Sequence, residues 1–428
     1  MTAMKNELAL FHPGARERAV KSVHWVNHRP VSQINNTSAI EFDVSGTQVA
    51  YILPSKTRLN VKLRLLKENG EVVEPTDDVS LVNLALHSLF RQVDVSLNQT
   101  LITSTVGVNY GYKAMIDALL SYNFDVKESQ IQSEGYYKDT AFFMDAASNA
   151  GHVQRKLLTK GGVIDFESPL HMDVCQQPKA ILNGVQLTVK LFQSGDNFRL
   201  FSPSGTKYSV EITDAVLKVC NVTVQPSVLV AQNEMLLKTP AQYPLWKSDI
   251  KTYSIAAGSH TFSIDDIFHG HVPARLYVAL TSSAAYSGDI KKNPYNFHHF
   301  NLNYLELAVD GQSVPTVAFQ PQYKDDPTTE TLQTLNSGYV TEFLSLFKSH
   351  YPQAEGNFIQ RSDYPGGYCI YVFDLKPGVE DRLFSAPQFG HTRLSARFAS
   401  ELATPATIIA YGQFPSSFKI DHARNVIV

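Results

Sequence analysis

Few residues of this sequence are spaced for chemistry. His269-Gly270-His271 can set two imidazoles on one face of an extended strand, the start of a metal site. A metal site needs at least a third ligand, and the sequence nominates none. Asp265-Asp266 and Asp325-Asp326 pair carboxylates. Adjacent strand residues point to opposite faces, so neither pair can straddle one scissile bond, and Asp326 precedes Pro327 in what reads as a turn. Solvated loop carboxylates are expected at both places. His298-His299 titrate near neutrality. If extended they face opposite ways, one against neighbouring aromatics and the other towards solvent or a neighbouring subunit. Lys291-Lys292 and the stretch Arg16 to Lys21 are the basic clusters, read as solvated surface. The second is also a weak candidate for contacting packaged nucleic acid. There is no Gly-rich phosphate loop ending in Lys-Ser/Thr, no G-x-S-x-G elbow, no H-E-x-x-H and no C-x-x-C. The expectation is a protein without catalytic, cofactor-binding or metal-ligating residues, and not an enzyme.

The elements that would position such residues are strands. The chain has 428 residues, too many for a single hydrophobic core, and 11% of them are aromatic, with 20 Tyr and 24 Phe. That composition favours sheets over helical bundles. Charged residues make up only 18%, which suits a molecule that hides surface against copies of itself, and the formal net charge of −3 gives no field to collect nucleic acid or acidic membrane. Cys175, Cys220 and Cys369 are odd in number and widely spaced, so neither a disulfide framework nor a zinc site is expected, and a reducing compartment is the simplest home. The N-terminus lacks the apolar run of a signal peptide, and no segment approaches a membrane span.

The chain is organised around Lys292 to Pro315, KNPYNFHHFNLNYLELAVDGQSVP. Leu305, Leu307 and Val309 alternate along a strand, and Asp310-Gly311 supplies a tight hairpin turn. A weaker copy, VNLALHSLFRQVDVSLNQT, runs from Val82 to Thr100. At one offset of 212 positions, Val93, Val95 and Leu97 stand for Leu305, Leu307 and Val309, Asn98-Gln99 for Asp310-Gly311, and His87 for His299. Other elements recur in the same order: Phe42-Asp43-Val44 with Phe262-Ser263-Ile264, Leu59 to Leu63 with Leu276 to Leu280, and Val185 to Leu191 with Thr392 to Phe398. Gly111 to Ser121 reads as a helix whose stripe of Met115, Ile116, Leu119 and Leu120 lies on a sheet and caps the sandwich. A shorter helix, Tyr339 to Phe347, answers it. Each unit holds about eight short strands with one helix in a connection, the description of a jelly roll, so the fold class is all-β. The division is an N-terminal arm over 1–27, a first jelly roll over 28–225, a linker over 226–250 in which Pro226, Pro240 and Pro244 interrupt regular structure, and a second jelly roll over 251–428. The stretches 123–162 and 350–367 read as long loops, candidates for a tower or for contacts between subunits.

These residues carry a resemblance. The Lys292–Pro315 stretch, Arg361 to Tyr368 leading into Phe373-Asp374-Leu375, and the ending Ile420 to Ile427 resemble the major capsid protein of Polinton (Maverick) elements and adintoviruses. In the first half Val82 to Phe90, Leu119 to Tyr122, Tyr137 to Thr140 and Leu182 to Val185 are similar to the same family, so the likeness covers about residues 35–428. It does not extend to the arm or to the connection from Lys376 to Gly390. The resemblance implies a double jelly-roll hexon protein with no catalytic residues to carry over. It further implies a homotrimer of pseudo-hexagonal outline that tiles an icosahedral shell, with lateral contacts between trimers and a single jelly-roll penton protein as partner. The virion is its implied place, after synthesis in the host cytoplasm and assembly in the host nucleus. Two other readings stay open: a carbohydrate-binding jelly-roll module, since lectins share the architecture, and a host-retained, capsid-derived protein.

Overall fold

A computed structural model describes residues 19–35, 38–103, 110–160, 162–323, 338–347, 356–376 and 386–428. Residues 1–18 of the expected arm, Asp325-Asp326, positions 350–355 of the second long loop and 377–385 of the Lys376–Gly390 connection lie outside the described residues.

Among the described residues sixteen strands form two matching sets of eight, with six further short strands beside them. The first set is β1 (Val20–His28), β2 (Ile40–Val44), β3 (Arg58–Lys67), β4 (Phe90–Leu97), β5 (Thr100–Leu101), β6 (Ile164–Pro169), β7 (Leu187–Gln193) and β8 (Tyr208–Val224). The second is β9 (Ala241–Ile255), β10 (Thr261–Ile264), β11 (Arg275–Ser282), β12 (Leu302–Val309), β13 (Gln312–Phe319), β14 (Ile370–Asp374), β15 (Thr392–Phe398) and β16 (Ala406–Ile420). Two sheets of the first set run β1-β8-β3-β6 and β2-β7-β4-β5, and two of the second run β9-β16-β11-β14 and β10-β15-β12-β13. Every label in the second pair of orders is the first plus eight. The repeat read from alternation is therefore a repeat of topology, and all the pairings are antiparallel.

Local chemistry explains the registers. In β3, Leu59, Val61, Leu63 and Leu65 are buried while Arg58 and Lys62 face water, the half-buried alternation of an antiparallel sheet. Burial of each such side chain contributes roughly 1.5–3 kcal/mol. Between β12 and β13 the turn residues Asp310 and Gly311 both have positive φ, 49° and 81°. Asn98 and Gln99 match them at 45° and 68° between β4 and β5. Two consecutive left-handed residues make the turn whose twist suits a two-residue hairpin.

Three expectations are corrected. Val20–His28 is a strand paired with β8, not part of an irregular arm. It lies at the edge of its sheet with most of its side chains exposed, Trp25 at 50%, so no alternation marks it. The expected linker is also regular: helix Pro226–Leu236 is followed by β9 from Ala241. Pro226 occupies the first helical turn, where its missing N–H costs nothing. Pro244 sits opposite Ser417 in β9, an edge strand with an unpaired side on which a proline needs no ladder donor. The excursion 123–162 is no open loop; it contains a helical turn at Phe124–Lys127, a 3-10 turn at Gln130–Glu134 and helix α2, Ala150–Thr159.

The helix expected to cap one sandwich lies on β4 of the first unit and also enters the core of the second. Helix α1, Tyr110–Ser121, is buried from Tyr110 to Leu119 on every face. Tyr112, Ala114, Met115, Ile116, Ala118 and Leu119 belong to the hydrophobic cluster of the second unit, beside Tyr295, Phe297 and Tyr411. Conversely Tyr243, Leu245, Phe418 and Ile420 complete the cluster of the first. No sheet mixes strands of the two sets, yet the cores interlock.

Candidate functional site at the seam between the units

Polar side chains that an apolar core would exclude are concentrated where the units meet. One node is Asp139, in the excursion. Its carboxylate accepts from Arg155 Nη2 at 2.8 Å, Asn149 Nδ2 at 2.8 Å, Asn83 Nδ2 at 3.1 Å and Asn293 Nδ2 at 3.1 Å, while its carbonyl accepts from the Tyr368 hydroxyl at 2.6 Å. Asn293 and Tyr368 come from the second unit. Arg155 also donates to the carbonyls of Leu81 at 2.9 Å and Tyr137 at 3.1 Å. A buried ion pair is tolerated when its remaining donors and acceptors are satisfied, as these are. Nearby, Lys138 pairs with Asp363 at 2.6 Å, and Phe142 N–H donates to Gly366 at 2.7 Å. Lys127, also buried, donates to the carbonyls of Leu119 and Asn357. Burial, with Lys138 adding repulsion, pushes its ammonium down to about 7.

The second node runs along α1. Lys113 pairs with Asp117 at 2.8 Å and lies 3.5 Å from Asp173. Asp117 accepts from the Tyr411 hydroxyl at 3.0 Å, and Asp173 from the Ser248 N–H and hydroxyl at 2.8 and 2.7 Å, both contacts to the second unit. Burial opposes every charge here, but the partners outweigh it: Lys113 is raised well above its ordinary value and Asp117 is held below the carboxylate range. Beside them sit His87, Glu134 and His171. His87 Nε2 is 3.2 Å from Glu134 Oε2, His171 Nε2 is 3.7 Å from the same oxygen, and Tyr110 hydroxyl bonds His87 Nδ1 at 2.8 Å. Burial lowers His87. It works against the charged form of His171 too, but Asp117 and Glu134 overcome it and raise His171.

The residues singled out in the sequence are not brought together. His269 and Gly270 have positive φ and form a turn, so His269 and His271 do not share a strand face; His271 instead packs on Phe389. Asp266 accepts from the Gly270 N–H at 2.7 Å and Asp265 lies 3.3 Å from Arg393 in an exposed depression. His298 and His299 do not face opposite ways: positive φ at Phe300 and Asn301 turns the chain, and the two rings stack at 4.4 Å. His299 is buried against Tyr323 at 4.3 Å, and burial beside His298 pushes it down to about 3. Lys291 and Lys292 are exposed, the latter 3.3 Å from Asp145.

Sequence reasoning missed the seam. Its signal was present in the motif matches, since Asn83, His87 and Asp139 lie inside the quoted stretches, but lone polar residues in polar segments give no spacing to read. A second constellation also escaped it. Ser80 Oγ is 2.7 Å from His152 Nδ1, and His152 Nε2 is 3.2 Å from Asp78, the order of a nucleophile, base and orienting acid. Ser80 has no exposed surface and its hydroxyl also reaches the Leu81 carbonyl, so substrate has no approach to it and the trio serves to pin α2.

No protein-family model matches the chain. It is similar to an uncharacterized protein of Caenorhabditis elegans, 23% identical over 412 residues that cover 91% of this chain and 92% of that one. Among solved structures it is similar to a chain of the Sputnik virophage, with a TM-score of 0.61 at 11% identity, covering all of this chain and 92% of that one. The Faustovirus major capsid protein superposes with a TM-score of 0.55 at 8% identity over 96% and 92% of the chains. The fold is a double jelly roll. The mavirus major capsid protein adds a TM-score of 0.50 at 11% identity over 100% and 95%. Such low identities transmit architecture and no side chain, so the seam is described from this double jelly roll alone.

Proposed function

We propose that the chain is a structural capsid subunit, non-enzymatic, whose homotrimers have a pseudo-hexagonal outline and tile an icosahedral shell. The observation that carries this is the pair of sandwiches with one strand order, joined through interlocked cores and a buried polar seam. Three copies around a threefold axis then present six similar sectors, which a hexagonal lattice accepts without further adaptors. The seam matters because sectors that shifted against each other could not hold one lattice spacing. The double jelly-roll likeness to viral capsid proteins supports the same role. A Polinton or adintovirus origin, a penton partner of single jelly-roll type and residence in the virion after assembly in the host nucleus complete the reading. So does a division into two units at the connection holding the helix Pro226–Leu236. That helix leaves Val230, Met235 and Leu237 exposed, Leu237 at 74%, apolar surface of the kind that contacts between copies cover.

A second reading, a capsid-derived protein retained by a host, is favoured by the end-to-end similarity to a nematode protein. Both require self-association. Light scattering across a concentration series should give a stable species of roughly 143 kDa, three times 47.6 kDa, and negative-stain images of it should be six-sided. A monomer at every concentration refutes independent trimerisation; trimers that never form shells with any partner favour the retained protein.

A further inference from the structure

We propose that His87, Glu134 and His171 form a structural binding site for a divalent transition-metal ion of the zinc type, buried in the first unit beneath helix α1. One donor atom from each residue lies within 4.8 Å of the other two, and all three side chains are buried. A tetrahedral zinc ion with bonds of about 2.0–2.1 Å spaces its ligands about 3.3 Å apart. The two distances to Glu134 Oε2, 3.2 and 3.7 Å, bracket that spacing, and the two imidazole donors lie within 4.8 Å of each other, so closing on an ion asks the rings to approach by at most about 1.5 Å. Ser168 Oγ, 3.4 Å from His87 Nε2, or a water can take the fourth position. Two imidazoles and one carboxylate are a donor set that suits zinc over calcium or magnesium, which prefer oxygen throughout.

The surroundings favour a cation. Three carboxylates share this buried cluster with one ammonium: Asp117 and Asp173 lie against Lys113, and Asp117 and Glu134 lie against His171. With both imidazoles neutral, two negative charges are in excess, and unpaired charge away from water is costly. A divalent ion cancels both. The outer contacts are also those of a metal site: the Tyr110 hydroxyl fixes the His87 ring through Nδ1, leaving Nε2 towards Glu134. His171 Nδ1 makes no hydrogen bond among the described residues and lies 3.9 Å from Asp117 Oδ2, while the ring packs edge-on against those of His87 and Tyr122. The three ligands come from the turn before β4, the 3-10 turn Gln130–Glu134 and the chain just after β6. An ion would therefore staple the 123–162 excursion to the first sandwich. Burial of all three ligands keeps substrate away from the fourth position and makes the role structural.

The test is metal content of the full-length protein, expressed with zinc and desalted, by elemental mass spectrometry. The expected result is one zinc per chain, retained through gel filtration, with thermal unfolding shifted down by a strong chelator and restored by zinc. Glu134→Gln should lower occupancy at least about tenfold, whereas His260→Gln and His391→Gln, at exposed positions, should leave it unchanged. If Glu134→Gln does not fold, Tyr110→Phe keeps all three ligands and should weaken zinc binding by about 10–100-fold in chelator competition. Folded wild-type protein that carries no zinc and whose unfolding ignores both zinc and chelator overturns the proposal. Zinc retention identical in wild type and in the folded variant overturns it equally, by placing the ion elsewhere.

Discussion

Replacing Arg155 by Met removes the guanidinium from the Asp139 node while keeping the length of its stem. Arg155 and Asp139 side chains are 1% and 3% exposed, so water cannot replace the lost partner. Breaking one side of a buried pair costs about 3–5 kcal/mol. Asn83, Asn149 and Asn293 still donate to Asp139, and Tyr137 keeps the Asn83 amide, so the middle of that range, about 4 kcal/mol, is expected. Because the node joins both units, all 428 residues should melt together. At about 2.1 cal/mol/K per residue their unfolding entropy is about 0.9 kcal/mol/K. The expected fall in Tm is then about 4 °C, read by differential scanning calorimetry as one displaced transition. Asp139→Asn combined with Arg155→Met closes a double-mutant cycle, with an expected coupling of about 1–3 kcal/mol. A coupling below about 0.5 kcal/mol, or a melt that splits into two with only one moving, would refute the seam as a shared support.

His299 should make stability fall towards acid. Its folded value of about 3 lies below the ordinary 6.5, so the unfolded chain binds the proton first and stability drops as pH falls below 6.5. Between pH 7 and 5 this amounts to about 2 kcal/mol; His299→Phe, which keeps a ring on Tyr323, should remove that share of the slope in urea titrations at the two pH values, and an unchanged slope counts against it. Gly46→Ala should destabilise by about 1–3 kcal/mol, since a Cβ there would stand 2.5 Å from the Gly184 carbonyl carbon and 2.6 Å from Val185 N. Gly195→Ala, where a Cβ meets open space, serves as its control, and equal Tm values would show that the close approach of the chains at Gly46 is not rigid.

How much of this was legible depends on what each residue faces. Leu59, Val61, Leu63 and Leu65 are read directly, because one side of β3 is oil and the other water. Asp310-Gly311 and Asn98-Gln99 are read directly too, because few residues accept two successive positive φ angles. Val20–His28 escaped for the opposite reason: most side chains of this edge strand are exposed and only Val20, Val26 and His28 are partly covered, so alternation has little to record. The 123–162 excursion misled because its polar residues point inward; Asp139, Asn149 and Arg155 look like solvated loop residues until their partners arrive from Asn293 and Tyr368. The same holds for His87, Glu134 and His171, separated by 47 and 37 positions and gathered by topology alone. Pairs close in sequence, such as His269 and His271, drew attention that a single left-handed turn disposes of.

Helix α1 lies on β4 of the first unit and sinks its apolar residues into the core of the second, and this has a consequence during synthesis. A ribosome adding about 5–20 residues per second needs about 10–40 s to make the chain beyond Val224. Throughout that interval the nascent first unit carries an apolar helix, with a buried lysine and aspartate, whose lid does not yet exist. The sandwich can pair its strands, but it cannot close its surface until β16, Ala406–Ile420, has cleared the exit tunnel and brought Tyr411 to Asp117. A truncated first half should therefore be a client of chaperones rather than a stable fragment, because its surface is completed only by strands of the second unit.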